Sequence, residues 1–197
     1  MSIEAHQDLQ AFFHERLGAA LTRRGMSVDP HTEFYLVQLL NRAGNPLAIQ
    51  SLDRSFVERL AAAAELESSQ ERIRHFREMG DDALYLCGFF SEHLRGRGIS
   101  PGYVRTMGGS AYIEASGLSR WTAEAHFTQT FADLAHRFNA FATVLDDVRE
   151  DTSLRTPHDI IRLYDRWRST RSPVLAERLK SQGVFPQIIG EDDETLH

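Results

Sequence analysis

Seven large apolar side chains recur along residues 119–150, at spacings that alternate between four and three. They are Phe127, Phe131, Leu134, Phe138, Phe141, Leu145 and Val148. This spacing is typical of the a and d positions of three heptads, and it predicts one long α-helix with a single apolar face. Four phenylalanines are bulky for a two-stranded coiled coil. We therefore expect this face to be buried among several helices.

The rest of the sequence also has helical period, and no segment shows the sustained alternation of a strand. Asp29-Pro30 and Ser100-Pro101 are typical helix starts. Gly80-Asp81-Asp82 is interpreted as a break or kink, with Asp81 capping the apolar helix that follows. These patterns predict an all-α, single-domain bundle of about eight or nine helices. We divide it into a core (1–152), a C-terminal arm packed on the core or a partner (153–185) and an acidic flexible tail (186–197).

Composition limits the classes of function. The 197 residues carry a net charge of −6, which disfavours broad binding to nucleic acids. The single cysteine, Cys87, makes no internal disulfide, and it is surrounded by apolar residues that favour a buried, unreactive thiol. Apolar runs too short to span a bilayer, and an N-terminus unlike a secretory signal, predict a cytoplasmic protein without a membrane segment.

The segment YVRTMGGSAYIEA, residues 103–115, places Gly108 and Gly109 in the middle of a predicted helix. Each glycine costs about 1 kcal/mol there relative to alanine, so something must approach closely. A neighbouring helix is the first interpretation. A flat cofactor is the second, because the segment resembles the glycine-rich distal helix of haem oxygenases, which are all-α. That resemblance implies His14 as axial ligand, with Tyr103 and Tyr112 framing a pocket.

Metal and nucleophile patterns are weak. Glu71 with His75 has i,i+4 spacing instead of the Glu-x-x-His spacing of di-iron bundles. Asp133 with His136 has i,i+3 spacing, but the heptad register points both residues away from the apolar face, and we expect no metal site. No serine or cysteine has a recognisable catalytic partner, and no phosphate-binding loop is present in the sequence. We therefore expect no catalytic residue and assign no cofactor.

The C-terminal arm combines arginines with aromatic residues, and these residue types are common in interface hot spots. A solvated helix face is the plainer interpretation, and contact with DNA is a weaker one. The candidate partner-binding residues are Arg162, Tyr164, Arg166, Trp167, Arg168 and Arg171.

The stretches GDDALYLCGFFSEHL and ISPGYVRTMGGSAY resemble a group of uncharacterised bacterial helical proteins. The resemblance covers residues 71–115 and implies a bacterial, cytoplasmic, all-α protein without an established activity. Our first hypothesis is a regulatory, non-enzymatic protein that acts through a protein partner or as a homo-oligomer. The alternative is a small-molecule binding protein or enzyme, with haem as one candidate ligand and a pocket beside the Gly108-Gly109 helix. A DNA-associated regulator that uses the C-terminal arginines is a third hypothesis.

Overall fold

A computed structural model of the chain describes residues 3–43, 55–90, 94, 98–151, 157–180, 182, 184 and 185. Within these residues there are nine α-helices, one short 3-10 helix and no strand. The α-helices are α1 (Ile3–Arg23), α2 (Pro30–Ala43), α3 (Phe56–Ala64), α4 (Ser69–Phe89), α5 (Pro101–Ser119), α6 (Thr128–His136), α7 (Phe138–Glu150), α8 (Pro157–Thr170) and α9 (Pro173–Lys180); the 3-10 helix is Ala125–Phe127. The predicted all-α class is confirmed.

The core forms where α4 packs along α5 and α7. α1 packs against α2 and α7, and α6 covers α5 and touches α2. One hydrophobic core joins apolar residues from α1 to α9. None of the helices in the described ranges combines the length and the apolar character needed to cross a bilayer.

Six residues of the phenylalanine stripe are buried as predicted and Phe127 is partly exposed, but the helix that carries the stripe is interrupted. Residues 119–127 form the end of α5, turns and the 3-10 helix, and α6 stops before Arg137, whose backbone has φ −106° and ψ 23°. The single long helix expected over 119–150 is therefore wrong. The interruption lets α6 pack on α5 while α7 packs on α4 and α1, so the stripe contacts several helices.

The helix starts predicted from local residues are confirmed for α2 and α5, but the cap predicted at Asp81 is wrong. α2 begins at Pro30, and the Asp29 side chain accepts a hydrogen bond of 2.8 Å from the His31 amide, as predicted. Pro101 begins α5 after Ser100, also as predicted. Asp81 is not a cap, because α4 continues without a break through Gly80 and Asp81 to Phe89. The backbone follows the helix there because Asp81 finds its hydrogen-bond partners on other helices rather than in its own backbone.

The C-terminal helices lie against the body of the chain. α8 contacts α2, and an Arg16 guanidinium nitrogen lies 3.4 Å from the carbonyl oxygen of Gln182. Leu179 and Val184 are buried in the same core. The predicted acidic tail, 186–197, lies outside the described residues.

Candidate functional site

Asp81 is a carboxylate buried in the centre of the molecule, with 6% of its surface exposed. Its Oδ1 accepts hydrogen bonds from the hydroxyls of Tyr35, at 2.6 Å, and Tyr112, at 2.8 Å. Its Oδ2 accepts a hydrogen bond of 3.0 Å from a terminal nitrogen of Arg42, which makes a partly buried ion pair. A buried charge is stable only with partners of this kind. The four residues are called the Asp81 cluster below.

Three helices build the Asp81 cluster. Tyr35 and Arg42 are seven residues apart on α2, so they share one face of that helix. Asp81 comes from α4 and Tyr112 from α5. Gly80 makes the meeting possible: a Cβ at this position would lie 2.8 Å from the ring of Tyr112. The Gly-Asp pair thus supplies both the space for the Tyr112 ring and the acceptor for its hydroxyl.

The electrostatic surroundings of the cluster determine the protonation states of its side chains. Burial raises the pKa of Asp81, while Arg42 and the two hydroxyls oppose that rise by stabilising the carboxylate. Burial and the nearby Asp81 charge raise the pKa values of Tyr35 and Tyr112 well above their usual range. Both tyrosines therefore remain protonated donors at neutral pH. Asp81 accepts hydrogen bonds at both oxygens, so the cluster holds the side chains of Tyr35, Tyr112 and Arg42 in place.

An open cleft of about 400 Å³ lies beside the Asp81 cluster. α2 contributes one face, α4 contributes Arg77, and the 3-10 helix closes the far side. Most of its exposed wall is apolar, and aromatic rings dominate it. The lining residues are His31, Phe34, Tyr35, Gln38, Arg42, Arg77, His126 and Phe127. We call this the α2–α4 cleft.

Aromatic contacts connect the cleft wall to the core. The Tyr35 ring packs edge-on against Phe127 and Phe131, with centroids 6.1 and 5.8 Å apart. Tyr112 stacks on Phe131 from the other side, at 6.2 Å. The phenylalanine stripe of the sequence therefore supports the cleft as well as the core.

Two other clefts have a different character. A groove of about 670 Å³ between the end of α1 and α7 is lined by charged groups that pair with each other, Arg23 with Asp151 and Arg24 with Asp147. A second groove, of about 430 Å³, lies between α5 and the α6–α7 segment and includes Gly109. In the α2–α4 cleft, a mainly apolar wall is combined with two polar side chains that Asp81 holds in place.

Gly108 and Gly109 have different surroundings in the structure. A Cβ at Gly108 would lie 2.5 Å from the Cβ of Ala83 and 2.6 Å from the Phe138 ring, so protein atoms fill that face. Gly108 allows α5 to cross α4 closely, as the first interpretation held, and leaves no room for haem. Gly109 faces the groove between α5 and α6–α7.

The remaining cofactor candidates do not converge. His14 is exposed on α1, and its ring lies 3.5 Å from a Glu33 carboxylate oxygen. Tyr103 is partly exposed and packs edge-on against Phe56. Tyr112 is fully buried and serves Asp81. The haem arrangement implied by the resemblance to haem oxygenases does not fit these positions.

The candidate partner-binding residues of the C-terminal arm differ in their burial. Tyr164 and Trp167 are buried, so the prediction that they form a partner surface is wrong. Both rings belong to the core, where they pack on each other with centroids 5.4 Å apart. Arg166 and Arg171 are exposed and Arg168 is half-buried. The side chain of Arg162 lies outside the described residues.

Cys87 is buried, as predicted, and burial raises the pKa of its thiol to about 11. No group of three or more histidine, cysteine or acidic side chains in the described part of the chain is arranged to hold a metal ion. His75 contacts the carbonyl oxygen of Arg59 at 2.7 Å, and Asp133 pairs with Arg137.

Sequence reasoning missed Tyr35, Arg42 and Arg77 as site residues. A signal was available, because an aspartate inside an apolar helix is almost never buried without partners. The sequence did not show which residues these partners are, because the three partners of Asp81 lie 31 to 46 residues away along the chain.

Comparison with known proteins adds no assignment. No protein-family model matches the chain, and neither the curated proteins nor the solved structures contain a significant match. The resemblance to bacterial helical proteins stays a prediction.

Proposed function

We propose that this protein binds a small organic molecule in the α2–α4 cleft. One observation carries the proposal: an open, aromatic-walled cleft lies directly beside a buried carboxylate that fixes two of its lining side chains, Tyr35 and Arg42. Small-molecule sites are typically concave, mostly apolar and of about 300–1,000 Å³, with a few polar groups held in place. The cleft has each of these properties.

The fixed polar groups strengthen the proposal. A buried ion pair is costly, and replacing the whole pair by well-packed apolar side chains is often neutral or stabilising. Asp81 does hold Tyr35 and Arg42 in one orientation at the cleft wall, before any ligand arrives. Such preorganisation reduces the entropy lost on binding.

The experiment is a fragment screen by ligand-observed NMR, preceded by native mass spectrometry of protein purified without added ligand. Gln38→Trp places a large ring at a residue that lines the cleft, and Gln129→Trp makes the same change at an exposed position of α6. We expect fragments to bind the wild type and Gln129→Trp but not Gln38→Trp. Absence of binding, or binding that survives Gln38→Trp, contradicts the proposal.

Association with a protein partner or a second copy stays a prediction from the sequence. Two exposed apolar side chains on α3, Val57 and Leu60, support it, because they lie three residues apart on one helix face. The arm supports it less than expected, since Tyr164 and Trp167 are buried. The mass in solution, measured by light scattering, tests self-association: a mass of 22.4 kDa at all concentrations contradicts it.

A further inference from the structure

The α2–α4 cleft holds more positive charge than its carboxylate neutralises. Arg42 and Arg77 line it, while Asp81 beneath it is the acceptor for Arg42. No acidic side chain is among the lining residues, and two histidines, His31 and His126, stand at its rim. Two acidic residues, Glu71 and Glu124, line a neighbouring cleft to which Arg77 also contributes.

Arg77 makes no ion pair with any carboxylate of the described residues. It precedes Asp81 by one helical turn on α4 and is half-buried. Its Nε is shielded from solvent and has no hydrogen-bond partner in the described structure, and no carboxylate there lies within ion-pair distance of it. Its charge still acts on the site, because it opposes the rise that burial causes in the pKa values of Asp81 and Tyr35. A half-buried guanidinium without an ion-pair partner is unfavourable, and an anion in the cleft would relieve it.

The rest of the cleft selects for a flat ring. Phe34 also lines the cleft, and 55% of its surface is exposed, so its ring is accessible to a ligand there. The rings of Tyr35, Phe127 and His126 form the walls, with His126 and Phe127 only 4.1 Å apart. Offset and edge-to-face contacts with such walls favour a planar aromatic body.

We infer that the ligand of the α2–α4 cleft is an aromatic carboxylate, whose carboxylate pairs with Arg77 and whose ring lies between Phe34, Tyr35 and Phe127. A planar guanidinium matches a carboxylate through two parallel hydrogen bonds. Arg42 adds a second positive charge from a position that Asp81 has already fixed. This inference rests on the proposed function and specifies its ligand.

The test uses naphthoate, naphthamide and naphthyl phosphate, which share one ring and differ in the attached group. Affinities are measured by titration calorimetry on the wild type, Arg77→Gln, Arg77→Lys and Arg74→Gln. Arg74 is an exposed arginine one turn earlier on α4 that lines only the neighbouring cleft, so it is the matched control. Because Arg77 makes no ion pair with a carboxylate of the described residues, Arg77→Gln should fold, which circular dichroism checks.

We expect naphthoate to bind the wild type and Arg74→Gln at least about tenfold more tightly than naphthamide. Arg77→Gln should abolish that preference, and Arg77→Lys should retain part of it because the charge remains without the planar fork. Equal affinity for naphthoate and naphthamide, or a preference unchanged by Arg77→Gln, overturns the inference and leaves the binding function intact. Preference for naphthyl phosphate overturns the carboxylate assignment. If no fragment binds the cleft at all, the proposed function fails as well.

Discussion

Asp81 and Asp147 each accept hydrogen bonds from an arginine, yet their surroundings differ completely. Asp81 lies inside the bundle, 3.0 Å from Arg42, and two buried tyrosines share its other oxygen. Asp147 lies near the surface on α7 and receives two hydrogen bonds from Arg24, at 2.6 and 2.7 Å. Burial raises the pKa of Asp81, whereas the hydrogen bond from Arg24 lowers the pKa of Asp147.

The difference teaches that contact length does not measure what an ion pair contributes. The pair with the shorter contacts is solvated, and exposed pairs usually add little to stability because water and salt compete with them. The buried carboxylate is costly by itself, but its removal would leave several polar groups without a partner. Asp81 therefore matters for which structure forms, whereas Asp147 contributes only a small increment of stability.

The largest expected effect comes from Asp81→Ala. This change leaves the hydroxyls of Tyr35 and Tyr112 buried without an acceptor and Arg42 without its carboxylate, so we expect the free energy of unfolding to fall by about 3–5 kcal/mol. Urea unfolding followed by circular dichroism measures it. Asp147→Ala is the matched control and should cost far less. Equal losses in the two variants would remove the contrast between the pairs.

Tyr112→Phe should have the next largest effect. The ring remains in the space that Gly80 provides, and only the hydrogen bond to Asp81 is lost. A hydrogen bond to a charged group contributes about 1.5–3 kcal/mol, so a loss in that range is expected in the same urea experiment. Tyr103→Phe, at a partly exposed position, is the control and should be nearly neutral. A neutral Tyr112→Phe would mean that Tyr35 and Arg42 alone satisfy Asp81.

The same contrast explains how far the sequence could be read. The phenylalanine stripe repeats within 22 residues, and its burial followed from period alone. The interruption at Arg137 could not be predicted from this spacing, because it depends on which helices α6 and α7 pack against. Asp81 was assigned by a local capping rule, but distant residues decide its role. Gly108 was correctly interpreted as a helix crossing, because the cost of a glycine inside a helix is evident from the local sequence. Nothing in the local sequence around Arg77 indicated that it would line a site.

The two aspartates should also respond to pH in opposite directions. The raised pKa of Asp81 means that the folded protein binds this proton more tightly than the unfolded chain, whose value is near 3.8. As pH rises from that value through the raised pKa, Asp81 should lower stability, with a slope of at most about 1.4 kcal/mol per pH unit.

Subtracting the pH profile of Asp81→Asn from that of the wild type isolates this effect, since the amide does not titrate. We expect the wild type to lose stability relative to Asp81→Asn as pH rises from about 4 towards neutral. A difference that rises with pH instead would show that Arg42 and the tyrosines outweigh burial and hold the pKa of Asp81 below its ordinary value.

The smallest effect is expected at Asp147. Its lowered pKa means that the pair with Arg24 stabilises the fold above pH 3.8, and that this contribution is lost as pH falls through the lowered value. Asp147→Asn should therefore reduce stability slightly at neutral pH and not at all once the pH is well below the lowered pKa. In 1 M sodium chloride, where the screening length is about 3 Å, the difference from wild type should shrink at Asp147 and persist for Asp81→Ala. If salt weakened both equally, water would reach the Asp81 cluster, and the α2–α4 cleft would lack the dry, fixed floor that its proposed ligand requires.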